Sequence, residues 1–300
     1  MDRKAKRRMM SNLGGSVLIG FRGVMGIVPD AWVEAVGRGI GRLMMWGSKK
    51  HRLRALENLK LVFPEMPEME RVALVKKIFA HYGMVTTDFL TIHKRSTEQI
   101  EREATLEGTE HLEAALARGK GVIVLTGHFG NWERFSALIS GRGRQIYVIA
   151  RDANSVALNR MVNDLRSMRG TKVIPRGAAA RPTIEALRRN EVVGILPDQN
   201  ADEVYIPFFG HLAGTVLGPG VIAERTGATV LTAWCVRVGP RKYRMILEPP
   251  LEAVPSDGPK GEGLMRAFHD RLESIIREYP DQWLWFHDRW RNARNKGMLK

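Results

Sequence analysis

Residues 122–133 of the 300-residue chain read VIVLTGHFGNWE, a short apolar run followed by a histidine between two glycines and then a glutamate. Four consecutive apolar residues bounded by turn-forming residues are typical of a strand buried in a parallel sheet. Asn131 has the side chain of an N-cap for a helix that begins directly after it. The stretch therefore predicts a strand, a tight loop carrying His128, and a helix carrying Glu133 in its first turn.

The same alternation of strand and helix continues along the chain. Five further apolar runs predict strands, at Ile146–Ala150, Lys172–Ile174, Val192–Leu196, Thr229–Val236 and Tyr243–Leu247. Amphipathic stretches predict helices at Leu53–Phe63, Glu68–Ile92, Trp132–Ile139, Ser155–Met168, Ala179–Arg189 and Pro219–Thr226. Strands that alternate with helices indicate an α/β fold with a largely parallel central sheet. In such sheets the functional side chains collect beyond the carboxyl ends of the strands.

Composition excludes several classes of protein. With 44% hydrophobic and 26% charged residues, the chain has globular composition and is not a disordered or coiled-coil protein. Its single cysteine, Cys235, excludes a disulfide framework and a zinc finger. The sequence has no H-E-x-x-H motif and no second histidine or cysteine beside His128. We therefore expect neither a metal nor another cofactor.

Basic residues are concentrated at the N-terminus. The chain carries a formal net charge of +15, and residues 1–60 hold 13 Lys or Arg against 4 Asp or Glu. Such an excess predicts contact with a polyanion, either anionic lipid headgroups or nucleic acid. No zinc knuckle or RNA-recognition signature is present, which argues against nucleic acid. The membrane surface is the favoured partner.

The residues after this basic arm support an interfacial location. Leu13–Val28 is apolar but is interrupted by Arg22 and several glycines, so it falls short of a transmembrane span. Ala31–Trp46 combines tryptophans with arginines, as helices at a membrane surface do. We predict that residues 1–50 are a helical membrane-associating segment and that residues 51–300 form the α/β domain. A helical cap on a soluble core is the alternative interpretation of the same pattern.

His128 is the candidate catalytic base. A histidine at a strand end can take a proton from an alcohol when another group fixes its tautomer and stabilises the imidazolium. Glu133, five residues further on across a tight turn, is predicted to reach back to the ring and serve as that group. Backbone N–H groups at the following helix N-terminus suit an oxyanion or a phosphate. No serine or cysteine nucleophile is nearby, which favours direct transfer without a covalent enzyme intermediate.

These residues resemble the H-x-x-x-x-D/E motif of the glycerolipid acyltransferase superfamily. The stretch from Gly127 to Glu133 is similar, more specifically, to the late acyltransferases of lipid A biosynthesis. Other blocks that resemble this family occur in the same order along the chain. They are Asn58–Glu65, Ile149–Arg151 with Asn154, Leu165–Arg166 with Gly170, Leu196–Asn200, Val204–Gly210 with Thr215, and Trp283–Arg291.

The resemblance implies a glycerolipid-acyltransferase-like αβα sandwich and an O-acyltransferase activity. The donor implied is an acyl thioester of acyl-carrier protein, with CoA as an alternative carrier. The acceptor implied is a hydroxyl of a Kdo-bearing lipid A precursor, at the cytoplasmic face of the cell inner membrane. The protein would be attached there peripherally or through a single N-terminal anchor.

Four further residues are candidate substrate ligands. Arg151 and Arg166 match the second block of the family and could hold phosphate oxygens in a bidentate manner. Asp198 follows the predicted strand Val192–Leu196 and could position a glucosamine hydroxyl or an arginine, or cap a turn. Asn131 ends the Gly127–Asn131 turn, whose backbone amides are expected to stabilise the oxyanion together with Arg166.

Two rival functions are consistent with the sequence. The nearer one is an acyltransferase of the same fold that acts on another glycolipid, such as a phosphatidylinositol mannoside, or on a lysophospholipid. The more distant one is a non-enzymatic protein that binds the membrane surface. The presence of both His128 and Glu133 argues against the second rival.

Overall fold

Nine strands form two sheets in the chain, which a computed structural model describes over residues 19–151 and 155–299. They are β1 (Ala104–Glu107), β2 (Val122–Leu125), β3 (Ile146–Ala150), β4 (Lys172–Pro175), β5 (Val192–Ile195), β6 (Val204–Phe208), β7 (His211–Thr215), β8 (Thr229–Gly239) and β9 (Lys242–Leu247). The main sheet has the order β1-β9-β8-β2-β5-β3-β4, and β6 and β7 form a separate hairpin. Within the main sheet only β8 and β9 pair antiparallel. The predicted α/β class with a largely parallel sheet is confirmed.

Helices precede, separate and follow the strands. Those before the sheet are α1 (Asp30–Gly47), α2 (Lys49–Val62), α3 (Glu68–Thr91) and α4 (Thr97–Arg102). The helices between strands are α5 (Thr109–Ala117), α6 (Trp132–Gly141), α7 (Val156–Ser167), α8 (Ala180–Arg188) and α9 (Gly218–Thr226), and α10 (Glu262–Glu278) and α11 (Arg291–Asn295) follow the sheet. Short 3₁₀ turns lie at Ile92–Lys94, Arg176–Ala178 and Pro280–Gln282.

The central strands bury side chains on both faces of the sheet. In β2, Ile123 and Leu125 pack into a cluster that also contains residues of α3, α8 and α10. Val122 and Val124 point to the opposite face, where they meet residues of α5 and α6. Alternate residues of one strand thus contact different helices, which explains why the strand sequence is continuously apolar. The covered faces leave the loops at the strand ends as the place for a site.

The sequence-based boundaries hold closely for the central elements. Observed β2 and β3 begin and end where predicted, and α7, α8 and α9 deviate by a residue at one or both ends. Strand β1, the β6–β7 hairpin and helices α4, α5, α10 and α11 are additions to the predicted set. Trp283, Trp285 and Trp290 are fully buried and lie between the 3₁₀ turn at Pro280–Gln282 and α11.

The N-terminal helix α1 has one packed face and one open face. It lies against α3, where Thr87 Oγ1 donates a hydrogen bond to Val33 O over 3.1 Å. On the open face, Trp32, Leu43 and Trp46 are 64%, 70% and 82% exposed. None of the helices in the described ranges combines the length and apolar character needed to cross a bilayer. The basic arm Met1–Met10 and Asn154 lie outside the described residues.

A buried ion cluster ties α3 to the start of α6. Asp88 accepts hydrogen bonds from Arg95, from Arg134 Nε at 3.2 Å and from Asn131 Nδ2 at 2.7 Å. Burial of the Asp88 carboxyl disfavours its charge, but Arg134 and Arg95 outweigh this effect and lower its pKa to about 2. Arg134 is itself fully buried and also pairs with Glu103. The cluster therefore fixes the helix that carries Glu133.

Replacing Asp88 with asparagine should lower the free energy of unfolding by about 3–5 kcal/mol, because the buried guanidinium groups of Arg95 and Arg134 lose the carboxylate that they share. The stabilisation should be complete above the ordinary carboxyl pKa of about 3.9 and should be lost as the pH falls toward 2. Urea unfolding at several pH values measures both effects. The exposed Asp257→Asn variant is the matched control, and an equal loss in both variants would contradict the prediction.

Candidate active site

The loop after β2 makes two close approaches at glycines, and the approach at Gly130 leaves no room for a side chain. Gly130 has φ +58°, and a Cβ built on it would lie 2.1 Å from the carbonyl oxygen of Cys235. At Gly127, a Cβ would lie 3.2 Å from Asp198 Oδ2, so a side chain there would crowd the carboxylate. The predicted N-cap is confirmed, because Asn131 Oδ1 accepts from the Arg134 N–H at 3.2 Å. The loop is thus folded tightly around His128.

His128 is held by Asp198. Strand β5 pairs in parallel with β2, so the residue three positions after β5 lies beside the loop that follows β2. His128 Nδ1 lies 2.7 Å from Asp198 Oδ1, and the His128 backbone N–H donates to Asp198 Oδ2 at 2.7 Å. The indole of Trp283 donates to the same Oδ2 at 3.0 Å. The carboxylate therefore fixes both the backbone and the ring of His128.

The charge on Asp198 determines the tautomer of the imidazole. Asp198 is only 2% exposed, and its burial disfavours the ionised form. The charge of His128 and the hydrogen bonds from His128 and Trp283 outweigh burial and lower the pKa of Asp198 to about 2. An ionised carboxylate beside Nδ1 requires the proton to be on that nitrogen. In the neutral form of the ring, Nε2 then carries the lone pair that can accept a proton from a substrate.

Glu133 is bound to Arg166 instead of to the histidine. Arg166 Nε donates to Glu133 Oε2 at 3.0 Å, and Arg166 Nη2 makes a second, shorter contact with Oε1. Trp132 Nε1 lies 3.2 Å from the same Oε1. This pairing raises the pKa of Arg166 although burial alone would lower it. The predicted hydrogen bond between His128 and Glu133 is thus corrected: Asp198, from the loop after the neighbouring strand β5, takes the place of Glu133.

His128, Glu133, Arg166 and Arg151 line one cavity of about 940 Å³. Part of its wall is apolar and is formed by α6, α7 and the strands beneath them. The apolar lining includes Val124, Phe135, Ile146, Val148 and Val162. Gly194, in the middle of β5, also lines the cavity, and a Cβ built on it would make only ordinary contacts at 3.6 Å or more. The cavity thus joins a polar mouth to an apolar interior, as sites for amphipathic ligands do.

The remaining sequence-predicted residues occupy different positions around this cavity. Arg151 is exposed at its mouth, and Arg166 is half-buried in its wall. Asp198 lies behind His128 and is too enclosed to contact a substrate hydroxyl. Asn131 is 1% exposed, and its amide is committed to Asp88 and to the helix cap. The structure therefore gives Asp198 and Asn131 supporting positions rather than the predicted substrate contacts.

The amides of the Gly127–Asn131 turn are also largely occupied. The His128 N–H donates to Asp198, the Gly130 N–H donates to Gln282 O at 2.9 Å, and the Asn131 N–H donates to Cys235 O at 2.8 Å. These three groups point into the protein, so they do not form the oxyanion site that the sequence suggested. Within the described ranges, no three His, Cys, Asp or Glu side chains come together as a metal site would require.

The sequence pattern does not single out two residues near His128, namely Gln199 and Trp283. Gln199 lines the cavity, and its Nε2 lies 3.4 Å from His128 Nε2. Trp283, 85 residues after Asp198, anchors that carboxylate from the C-terminal part of the chain. Both belong to blocks that carried the family resemblance, so the resemblance marked their segments. Their roles depend on which strands and loops are adjacent, which the sequence pattern does not specify.

Comparison with known proteins is consistent with this geometry. The family model described as bacterial lipid A biosynthesis acyltransferase matches residues 1–292. The chain is 26% identical to a lipid A biosynthesis acyltransferase of Haemophilus influenzae, over 82% of this chain and 78% of the relative. It is 27% identical to the lipid A biosynthesis lauroyltransferase of Escherichia coli, over 90% and 89%. It is also 28% identical to a phosphatidylinositol mannoside acyltransferase of Mycobacterium tuberculosis, over 66% and 63%.

The Asp198→Asn variant should lose about 100- to 10,000-fold in kcat, because a neutral amide neither fixes the Nδ1–H tautomer nor stabilises the imidazolium. Glu133→Gln should act through Arg166 instead. In double-mutant cycles of acyl-transfer rate, Glu133→Gln and Arg166→Met are expected to be non-additive, whereas Asp198→Asn and Arg166→Met are expected to be nearly additive. Strong coupling of Asp198 to Arg166, with none between Glu133 and Arg166, would contradict this division. Thermal unfolding of each variant controls for loss of fold.

Proposed function

The chain belongs to the family of bacterial lipid A biosynthesis acyltransferases, and we propose that it transfers a fatty acyl chain from a thioester to a hydroxyl of a lipid A precursor. The family identifies the chain as an acyltransferase. The observation that carries the finer proposal is the position of His128, whose Nδ1 is bound to Asp198 and whose ring lines a cavity with a polar mouth and an apolar interior. Such a cavity suits a donor with a charged carrier and a hydrocarbon chain.

In the proposed reaction His128 is the general base. The acceptor hydroxyl approaches Nε2 and attacks the thioester carbonyl as its proton moves to the ring. Asp198 stabilises the imidazolium that forms, in the manner of a base and its orienting carboxylate. The proton then passes to the departing thiolate, so that an ester and a free thiol result. No covalent enzyme intermediate is part of this proposal.

Glu133 and Arg166 have a joint role in this mechanism. Glu133 holds the guanidinium of Arg166 in the cavity wall by two hydrogen bonds, so it positions Arg166 rather than the imidazole. Arg151 adds a second guanidinium at the mouth. We assign Arg166 and Arg151 to anionic oxygens of the substrates, which guanidinium groups bind in bidentate fashion. The acyl chain is assigned to the apolar interior over Gly194.

Acyl-carrier protein is the proposed donor, with CoA as the alternative. The support for this choice is electrostatic, because the chain has a net charge of +15 and the cavity mouth carries exposed arginines. Arg151, Arg176 and Arg181 all line that mouth. A basic surface speeds and orients the approach of an acidic carrier protein.

We propose that the enzyme works at the cytoplasmic face of the inner membrane. Leu43 and Trp46 follow Trp32 by eleven and fourteen residues, which is about three and four helical turns. All three side chains therefore share the open face of α1. A row of exposed tryptophan and leucine side chains suits the interface between headgroups and acyl chains. The excess of basic residues in the first 60 positions would add attraction to anionic lipids. Residues 1–50 and 51–300 are accordingly proposed as the membrane-associating segment and the catalytic domain.

A second acceptor class is favoured by one specific comparison. The 28% identity to a phosphatidylinositol mannoside acyltransferase shows that similar sequences serve a different glycolipid. Both acceptors present sugar hydroxyls beside phosphate, so the same base and arginines would serve either one. The distinction therefore requires an analysis of products.

Loss of His128 should abolish one class of acylated glycolipid. Mass spectrometry of total lipids from cells that carry the wild-type gene, no gene, or the His128→Ala variant identifies that class. The variant should match the strain without the gene, and in purified form its turnover should fall by about 100- to 10,000-fold. A lipid A species that loses one acyl chain supports the proposal, whereas an altered mannoside or lysophospholipid favours the rival acceptor. Near-normal turnover of His128→Ala would exclude the proposed base.

Replacing Trp32, Leu43 and Trp46 together with serine should weaken sedimentation with vesicles of any headgroup charge, because the change removes apolar area. Met69 and Val254 are exposed apolar residues outside this face, and their double serine variant is the control. Deleting Met1–Met10 should instead weaken binding only to anionic vesicles, most clearly at low salt. Equal sedimentation of the triple variant and the wild type would contradict a membrane role for the open face of α1.

A further inference from the structure

The reactive nitrogen of His128 has one polar side-chain neighbour on its cavity side within the described part of the chain. Gln199 Nε2 lies 3.4 Å from His128 Nε2 and is half-buried in the cavity wall. Since Asp198 requires the proton on Nδ1, the amide is the donor in this contact and the imidazole is the acceptor. Asp198 and Gln199 are consecutive, so one loop supplies partners to both nitrogens of the ring.

Acyl transfer also needs N–H donors for the negative charge that develops on the carbonyl oxygen. The nearby backbone groups of His128, Gly130 and Asn131 are already committed to protein acceptors. The Arg166 guanidinium donates two hydrogen bonds to Glu133, and its remaining N–H groups are assigned to anionic oxygens of the substrates. Among the described residues, the Gln199 side-chain amide has His128 Nε2 as its partner at 3.4 Å, and the substrate hydroxyl must itself occupy that nitrogen. Of these groups, the Gln199 amide is the donor that becomes free when the substrate hydroxyl binds at His128.

We propose that the Gln199 carboxamide stabilises the oxyanion of the acyl transfer, an inference that rests on the proposed function. When the acceptor hydroxyl binds at His128 Nε2, it takes the place of the amide as the partner of that nitrogen. The new C–O bond forms as the hydroxyl proton passes to Nε2, and the carbonyl electron pair moves onto oxygen. The Gln199 N–H donates to that oxygen. Collapse of the intermediate breaks the C–S bond, and the proton on Nε2 passes to the departing sulfur.

The position of Gln199 is fixed from its own backbone. The buried Arg289 donates to Gln199 O at 3.4 Å and to Gly214 O. The next residue is also held, because the Asn200 N–H donates to His287 Nε2 at 3.0 Å. These contacts hold the backbone of Gln199 and Asn200, so the amide is kept near the imidazole. A preorganised donor of this kind stabilises developing charge without reorganising at the moment of reaction.

The test compares Gln199→Met, which keeps the length of the side chain but has no N–H donor, with the wild type. The substrates are lauroyl-acyl-carrier protein and a Kdo-bearing lipid A precursor, and single-turnover conditions prevent product release from masking the chemical step. The rate of the chemical step should fall by about 100- to 1000-fold, while the KM of each substrate in steady state stays near the wild-type value. Gln199→Glu should lose at least as much, because a carboxylate repels the oxyanion. Gln145→Met is the control, since the Gln145 amide donates to the backbone carbonyls of Ile146 and Gly170.

Three outcomes would overturn the assignment. They are a wild-type rate in Gln199→Met, a raised KM for the acceptor with an unchanged rate (which would make Gln199 a hydroxyl-binding residue), and an equal defect in Gln145→Met. Thermal unfolding checks the fold, and if Gln199→Met is unfolded, the isosteric Gln199→Glu variant carries the same comparison. His128→Ala in the same assay separates the two proposals. An inactive His128→Ala beside a fully active Gln199→Met leaves the proposed function intact and refutes only this inference.

Discussion

One buried carboxylate, that of Asp198, organises the site. It accepts hydrogen bonds from the backbone and the ring of His128 and from the indole of Trp283, so it joins three segments that are far apart in the chain. Because these donors keep it ionised in spite of burial, the proton on the imidazole ring is fixed on Nδ1. Which nitrogen of His128 can accept a proton is thus set by the charge of Asp198, a group that is buried away from substrates. The close approach of the loop to Asp198 at Gly127 accompanies the same contact.

The motifs of the sequence meet behind this carboxylate. Asn58, in the first motif, donates to Trp285 O at 2.7 Å and to His287 O at 2.8 Å, both in the last motif. His287 in turn accepts from the Asn200 N–H, next to Gln199. Burial lowers the pKa of His287 to about 4, which keeps it a neutral acceptor for that bond. The first and last motifs therefore hold the loop that supplies Asp198 and Gln199, and this is why residues spread over 230 positions act together.

Local patterns predicted most of the fold, because buried strands and amphipathic helices are encoded in short windows. They did not reveal β1 or the β6–β7 hairpin, since short or partly exposed strands lack a continuous apolar run. His128 was found from its position at a strand end. Its partner was assigned to Glu133 by nearness in sequence, whereas the partner comes from β5 because that strand pairs with β2. Glu133 lies on the first turn of α6 and instead accepts a hydrogen bond from Arg166 on α7. Strand order is a property of the whole sheet, so no local pattern could have specified this contact.

The position of Gly194 keeps the depth of the cavity independent of the position of the reacting groups. His128 and Asp198 lie beyond the ends of β2 and β5, while Gly194 lies within β5, and a methyl group added there meets no obstruction. Under the proposed function, the depth available to the hydrocarbon tail can thus change by one mutational step while the reacting atoms stay where they are. A preference for shorter or longer tails would then be set by one position of the cavity wall, independently of the groups that move the proton.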